Sequence, residues 1–161
     1  MEDTYYHSSN KTYKVGDILK SCERDFREYN LHRRTYETLF ELKRPRNRPS
    51  RKKALFVEMR KNISKLYDHC YKVRIIEGEP FFTRMDRVLQ AGLWLNKAMI
   101  AVDARERFES EEEVLKIIKK HCKEELEEAQ EHIKYYWKGT DKKYATEALI
   151  DGSIEIVKVI K

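Results

Sequence analysis

Apolar side chains recur at three- and four-residue steps along four long stretches, and that spacing constrains the fold more than any other feature. The first stretch, from Val15 to about Leu42, places them at Ile18, Cys22, Phe26, Tyr29, Tyr36 and Phe40, with Arg33 filling the gap. The second is Phe56, Met59, Ile63, Leu66, Cys70 and Val73, with Ser50 as its N-cap. The third, over 80–104, is Met85, Val88, Gly92, Leu95, Met99 and Val102, widened by Leu93 and Trp94. The fourth is Leu115, Ile118, Cys122, Leu126, Ala129, Ile133 and Tyr136; Ser110 and Glu113 form its capping box and Gly139 its stop. A 3.6-residue period buries one face of a helix. The run Glu77-Gly78-Glu79-Pro80 turns the chain between the second and third.

The final segment supports two readings. Residues 141–150 read as helix, and 153–160 alternate like a strand whose only available partner is the Tyr13 region. The small residues Ala145, Ala148 and Gly152, with Tyr144, Leu149, Ile156 and Ile160, also make a helix face, and helix to the C-terminus is the favoured expectation. The expected fold is therefore all-α: a four- or five-helix bundle over 15–161, a single helical domain preceded by a polar tail over 1–14. The alternative adds a small C-terminal strand paired with the N-terminal segment.

Charge narrows function. Lys43-Arg44-Pro45-Arg46-Asn47-Arg48-Pro49-Ser50-Arg51-Lys52-Lys53 holds seven basic residues and no acidic one. Net charge is +1 over residues 1–44, +6 over 45–62, +1 over 63–109 and −2 over 110–161, so the excess positive charge of the whole chain lies in one short segment. A concentrated field of this kind steers and binds polyanions. All Arg residues precede Phe108, which puts any phosphate-facing surface in the first two thirds. The segment is expected to be a loop between helices one and two, held extended by Pro45 and Pro49. Arg33 and Arg34, near the end of helix one, and Arg60 and Lys61, early in helix two, would flank it from both sides.

Residues 43–53 resemble the AT-hook of minor-groove DNA-binding proteins, with Asn47 in place of the core glycine. The resemblance implies that Arg46 and Arg48 enter a narrow A·T-rich groove beside Pro49. It implies that Lys43, Arg44, Arg51, Lys52 and Lys53 contact phosphates. The expected function is non-catalytic nucleic-acid binding, with duplex DNA favoured because the loop has no aromatic residue for base stacking. Two alternatives belong to other classes. One is a helical interaction module, an adaptor or inhibitor of viral or plasmid origin. The other is a helical ribonuclease, since Arg27-Glu-Tyr-Asn-Leu-His32 resembles the Arg-x4-His signature of HEPN ribonucleases. Room is left for a homodimer.

Other chemistry is thin. His69-Cys70 and His121-Cys122 have zinc-ligand side chains, but each Cys falls on an apolar stripe and core thiols are the simpler reading. Glu128 and His132, at i and i+4, are a weak metal pair, and no cofactor or metal is expected. Charged residues make up 39% of the chain, rich in Lys and Glu, with five Gly and three Pro, a balance suited to helices and to a hot-living source. Three Cys with no signal peptide suggest a reducing cytoplasm. The longest apolar run, Ala91 to Val102, is interrupted by Asn96 and Lys97 and is too short to cross a bilayer.

Overall fold

The computed structural model describes residues 3–61, 65–103 and 108–161. Among them seven strands form one antiparallel sheet beside four α-helices, so the fold is not the expected all-α bundle. The strands are β1 Tyr5–Ser9, β2 Ile18–Lys20, β3 Leu55–Glu58, β4 His69–Glu77, β5 Phe81–Thr83, β6 Glu147–Ile150 and β7 Ser153–Val159. The helices are α1 Leu31–Leu42, α2 Met85–Ala101, α3 Glu111–His121 and α4 Lys123–Lys138. The chain divides into two compact units. A sheet unit comprises Met1–Glu23, Lys53–Thr83 and Thr140–Lys161; a helical unit comprises Arg24–Lys52 and Arg84–Gly139.

The second expected helix fails because strand alternation overrides its three- and four-residue steps. In β4, Val73 and Ile75 alternate with Lys72 and Arg74, and β-branched side chains fit a pleated surface better than a helix. Phe56 lies in β3, and Cys70 and Val73 lie in β4; Ile63 lies outside the described residues, as does Ala104 at the end of the third stretch. The first expected helix is shortened from the front. Ile18–Lys20 is strand, Phe26–Glu28 is a 3₁₀ turn, and α1 begins only after Asn30, whose side chain accepts from the Arg33 N–H at 2.9 Å. Residues 153–159 are strand, and 147–150 are strand instead of helix. Nor is the N-terminal segment a loose tail, because Tyr5–Ser9 pairs along its length with β4.

The sheet order is β2-β7-β4-β1-β3-β6-β5. Strands β6 and β7 stand four places apart, yet only Asp151 and Gly152 connect them. Four places in a flat sheet span roughly 19 Å, whereas a three-peptide step reaches at most about 11 Å. The sheet must therefore fold over on itself at this corner. The inner face of the fold is the core of the unit: Tyr5, Val57, Tyr71, Val73, Ala148, Ile150, Ile154 and Ile156. The corner is tight. A Cβ on Gly152 would lie 1.9 Å from the Glu77 carbonyl oxygen, and one on Gly78, at φ +99°, would lie 2.5 Å from the Asp151 carbonyl oxygen.

The helical unit follows the sequence reading more closely. Ser110 caps α3 by accepting from the Glu113 N–H at 3.3 Å, and Gly139 ends α4 with φ 74°. The expected single fourth helix is broken at Cys122, which has non-helical angles and whose N–H donates to the Ile118 carbonyl. Leu39, Phe40, Leu95, Met99, Ile118, Ile133, Tyr136 and Trp137 are among its buried side chains.

Gly152→Ala is expected to lower stability by about 2–3 kcal/mol, because the clash is with backbone and cannot be relieved by a rotamer change. A urea titration followed by far-ultraviolet circular dichroism measures the loss.

Candidate functional site

The basic segment follows α1 and leads into β3, so it does not join two helices. It is also curled, the Arg48 N–H donating to the Pro45 carbonyl at 3.1 Å. Three of its four guanidiniums are engaged within the helical unit. Arg51 is buried, its Nε 3.0 Å and its terminal nitrogen 3.1 Å from the two Glu37 carboxylate oxygens. Its other nitrogen donates to the Tyr136 hydroxyl at 2.7 Å, and the group lies over the Phe40 ring at 4.8 Å. Arg44 donates to Glu41 at 3.1 Å and to the Arg48 carbonyl at 2.7 Å. Arg48 donates to the Trp137 and Lys138 carbonyls, each at 3.3 Å, at the C-terminal end of α4 where a cation is favoured.

The signal for this lies upstream of the segment. Glu37 and Glu41 stand at i and i+4 on α1, and Glu41 also accepts from the Ser50 hydroxyl and the Arg51 N–H, both at 2.9 Å. Charge counted by segment hides such pairing. Burial opposes the charge on Glu37, but the Arg51 guanidinium and hydrogen bonds outweigh it and hold the carboxyl below its ordinary range. Burial also pushes the neighbouring Tyr36 hydroxyl up to about 12.

Lys43 and Arg46 remain exposed. Lys52 lies 5.5 Å from the Phe26 ring, and Lys53 lies 3.5 Å from Asp151. A groove of about 610 Å³ runs beside the segment, lined by Lys43, Pro45, Glu127, Gln130, Glu131, Lys134, Trp137 and Lys138. The flanking cations expected on helix one do not close around it. Arg33 and Arg34 open α1 instead of ending it, about 15 Å along the helix from Lys43. Arg34 is tied to Glu111 at 3.4 Å and to the Tyr29 and Glu109 carbonyls. Arg60 and Lys61 follow β3 in the sheet unit, not a second helix.

The minor candidates disperse. Arg27 is exposed and ion-paired to Asp25, whereas His32 lies on α1 with Nδ1 3.3 Å from the Met99 sulfur. His69-Cys70 begins β4 in the sheet unit, and His121-Cys122 ends α3 in the helical unit. His132 contacts Arg87 at 3.2 Å. Among the described residues no group of three or more His, Cys, Asp or Glu side chains could hold a metal ion. No helix among them is long and apolar enough to cross a membrane.

The sheet assembles a constellation that the sequence reading missed. Strand register aligns Lys158 with Lys72, Lys72 with Tyr6, Tyr6 with Glu58, Glu58 with Glu147, and Glu147 with Thr83. Directly opposed residues share a face, with Cβ atoms about 4.5–5.5 Å apart across each antiparallel pair. The result is a polar row across six strands on the face opposite the folded core. Burial grades along it. Lys158 is exposed, Lys72, Tyr6 and Glu58 are half-buried, and Glu147 and Thr83 are 2% and 1% exposed. The Ser8 hydroxyl donates to Glu58 at 2.6 Å from the next step of β1. These six residues come from six separate strands, so no spacing could have joined them in advance.

Arg51→Ala is expected to destabilise the protein by about 3–5 kcal/mol, since it strands the buried Glu37 carboxylate. Glu37→Leu combined with Arg51→Met should recover most of that loss in the same urea titration. Because the folded value for Glu37 lies below the unfolded one, its stabilisation is present above the ordinary carboxylate range and is lost as pH falls through the folded value. Acid titration read by tryptophan fluorescence should therefore show a shallower loss in Glu37→Gln. Both tryptophans, Trp94 and Trp137, belong to the helical unit.

Comparison with family models finds no match to the chain, and no curated protein matches it.

Proposed function

We propose that the sheet unit is catalytic, with Glu58 and Glu147 as an acid–base pair acting on a polar small molecule that bears an anionic group. The observation behind this reading is the register of Glu147, 2% exposed, directly opposite Glu58. Like charges opposed across strands are destabilising. Two carboxyl groups in unlike surroundings are the arrangement in which one holds a proton while the other carries charge. Glu147, at the dry end, acts as the acid that protonates a leaving group. Glu58, held by the Ser8 hydroxyl, accepts the proton of the attacking group. The Tyr6 ring flanks the reacting centre, and Lys72, with Lys158 beyond it, takes the anionic group of the substrate.

A thermal-shift screen of phosphate- and carboxylate-bearing metabolites should give stabilising hits that Lys72→Ala loses and Lys143→Ala keeps. A screen with no hit that depends on Lys72 would make the row structural.

A second reading, nucleic-acid backbone binding, is favoured by one observation. Exposed Lys43 and Arg46 belong to the same segment as the groove flanked by Lys134 and Lys138. The contacts would then be to phosphates through these four cations, with affinity falling steeply as salt rises. Gel shifts with duplex DNA and RNA at two salt concentrations should weaken several-fold in a Lys43→Ala, Arg46→Ala variant; unchanged binding would discard the reading. A reducing compartment belongs with either proposal, as Cys22, Cys70 and Cys122 are all free thiols.

A further inference from the structure

Helix α2 is apolar on two sides. Ala91, Leu95, Ala98 and Met99 are buried, while Met85, Leu89, Leu93 and Ile100 are 39%, 61%, 62% and 65% exposed. The exposed four, with Gly92 and Asn96 between them, make a stripe about 22 Å long on one helix face. Exposed apolar stripes of this size mark a partner surface.

The arrangement of residues along the stripe points to the partner. We infer that the stripe packs antiparallel against the same stripe of a second copy of this chain, about a two-fold axis between Gly92 and Leu93. Residue order is symmetric about that point. Met85 falls opposite Ile100, Leu89 opposite Asn96, and Leu93 opposite Gly92. A two-fold interface requires this self-complementarity. A Cβ on Gly92 would meet nothing within 4 Å, so the Leu93 side chain of the partner copy can lie directly on the backbone there.

Charge selects the direction. Asp86 and Lys97 flank the stripe on the same side, about 70° and 90° from its centre at 100° per residue. In an antiparallel pair these flanks face one another, and Asp86 of each copy meets Lys97 of the other. A parallel pair would carry the two charged flanks to opposite edges of the seam, where neither Asp86 nor Lys97 meets an opposite charge. Within one copy Asp86 pairs with Arg84 at 2.9 Å, both about half exposed, and the Lys97 Nζ lies 5.0 Å from the Trp94 ring. Both groups are accessible to a second helix. Arg87, the other cation near this end, points away toward His132 and Tyr135.

Sedimentation velocity across a concentration series tests the inference. The 19.5 kDa chain should sediment as a dimer at concentrations on the order of tens of micromolar. Leu93→Glu should give the monomer with an unchanged circular dichroism spectrum. Asp86→Lys should weaken the dimer, and adding Lys97→Asp should restore it, since the swap rebuilds both contacts with reversed sign. A wild-type chain that stays monomeric at every concentration would overturn the inference. So would a dimer indifferent to Leu93→Glu, or one in which the swap fails to rescue Asp86→Lys.

Discussion

A guanidinium buried against a carboxylate fixes the helical unit. Arg51 reaches Glu37 with two nitrogens and Tyr136 with a third, beneath the Phe40 ring. One side chain thereby ties α1 to α4 and fixes where the intervening turn can run. A buried pair of this kind adds less net stability than its geometry suggests, because both charges must leave water. Its value here is directional. An apolar contact would let α1 slide or rotate against α4, whereas a bidentate pair admits one register. Glu41 extends the constraint one helical turn further, holding Arg44, Ser50 and the Arg51 backbone.

That arrangement changes the meaning of the basic island. Lys and Arg concentrated in eleven residues read naturally as a handle for polyanions. The fold instead engages Arg44, Arg48 and Arg51 with carboxylates and helix-end carbonyls, leaving Lys43 and Arg46 exposed. The strongest chemical feature lies on the sheet, where half-buried and buried polar side chains line up across the strands. Glu147 is buried there directly opposite Glu58.

Legibility in the sequence followed the range of the interactions involved. Helix α2 and the stretch holding α3 and α4, read as one helix, were legible because capping and period are local: Ser110, Glu113 and Gly139 sit where those rules put them, whereas the break at Cys122 carries no such signal. Strands β3 and β4 could not, because Phe56, Met59, Cys70 and Val73 satisfy helical steps while their neighbours alternate, and only pairing with β1, β6 and β7 decides between the two. Short β2 and β5, three residues each, carry almost no period of their own. For the site, residue type alone picked out Arg51, but its role depended on Glu37 and Tyr136. The row from Lys158 to Thr83 exists only once strand order and register are set.

The interleaving of the chain bears on how the protein is made. The sheet unit is stitched from three separated segments, and the helical unit fills both gaps. Strand β7 carries Ile154 and Ile156 into the sheet core and sits between β2 and β4. As the ribosome releases the nascent chain, the helical unit is complete once Gly139 has emerged, whereas β1 to β5 must wait, unpaired with β7, for residues synthesised afterwards. Premature termination between Gly139 and Val159 would therefore release a polypeptide whose sheet edges and inner face stay open to aggregation.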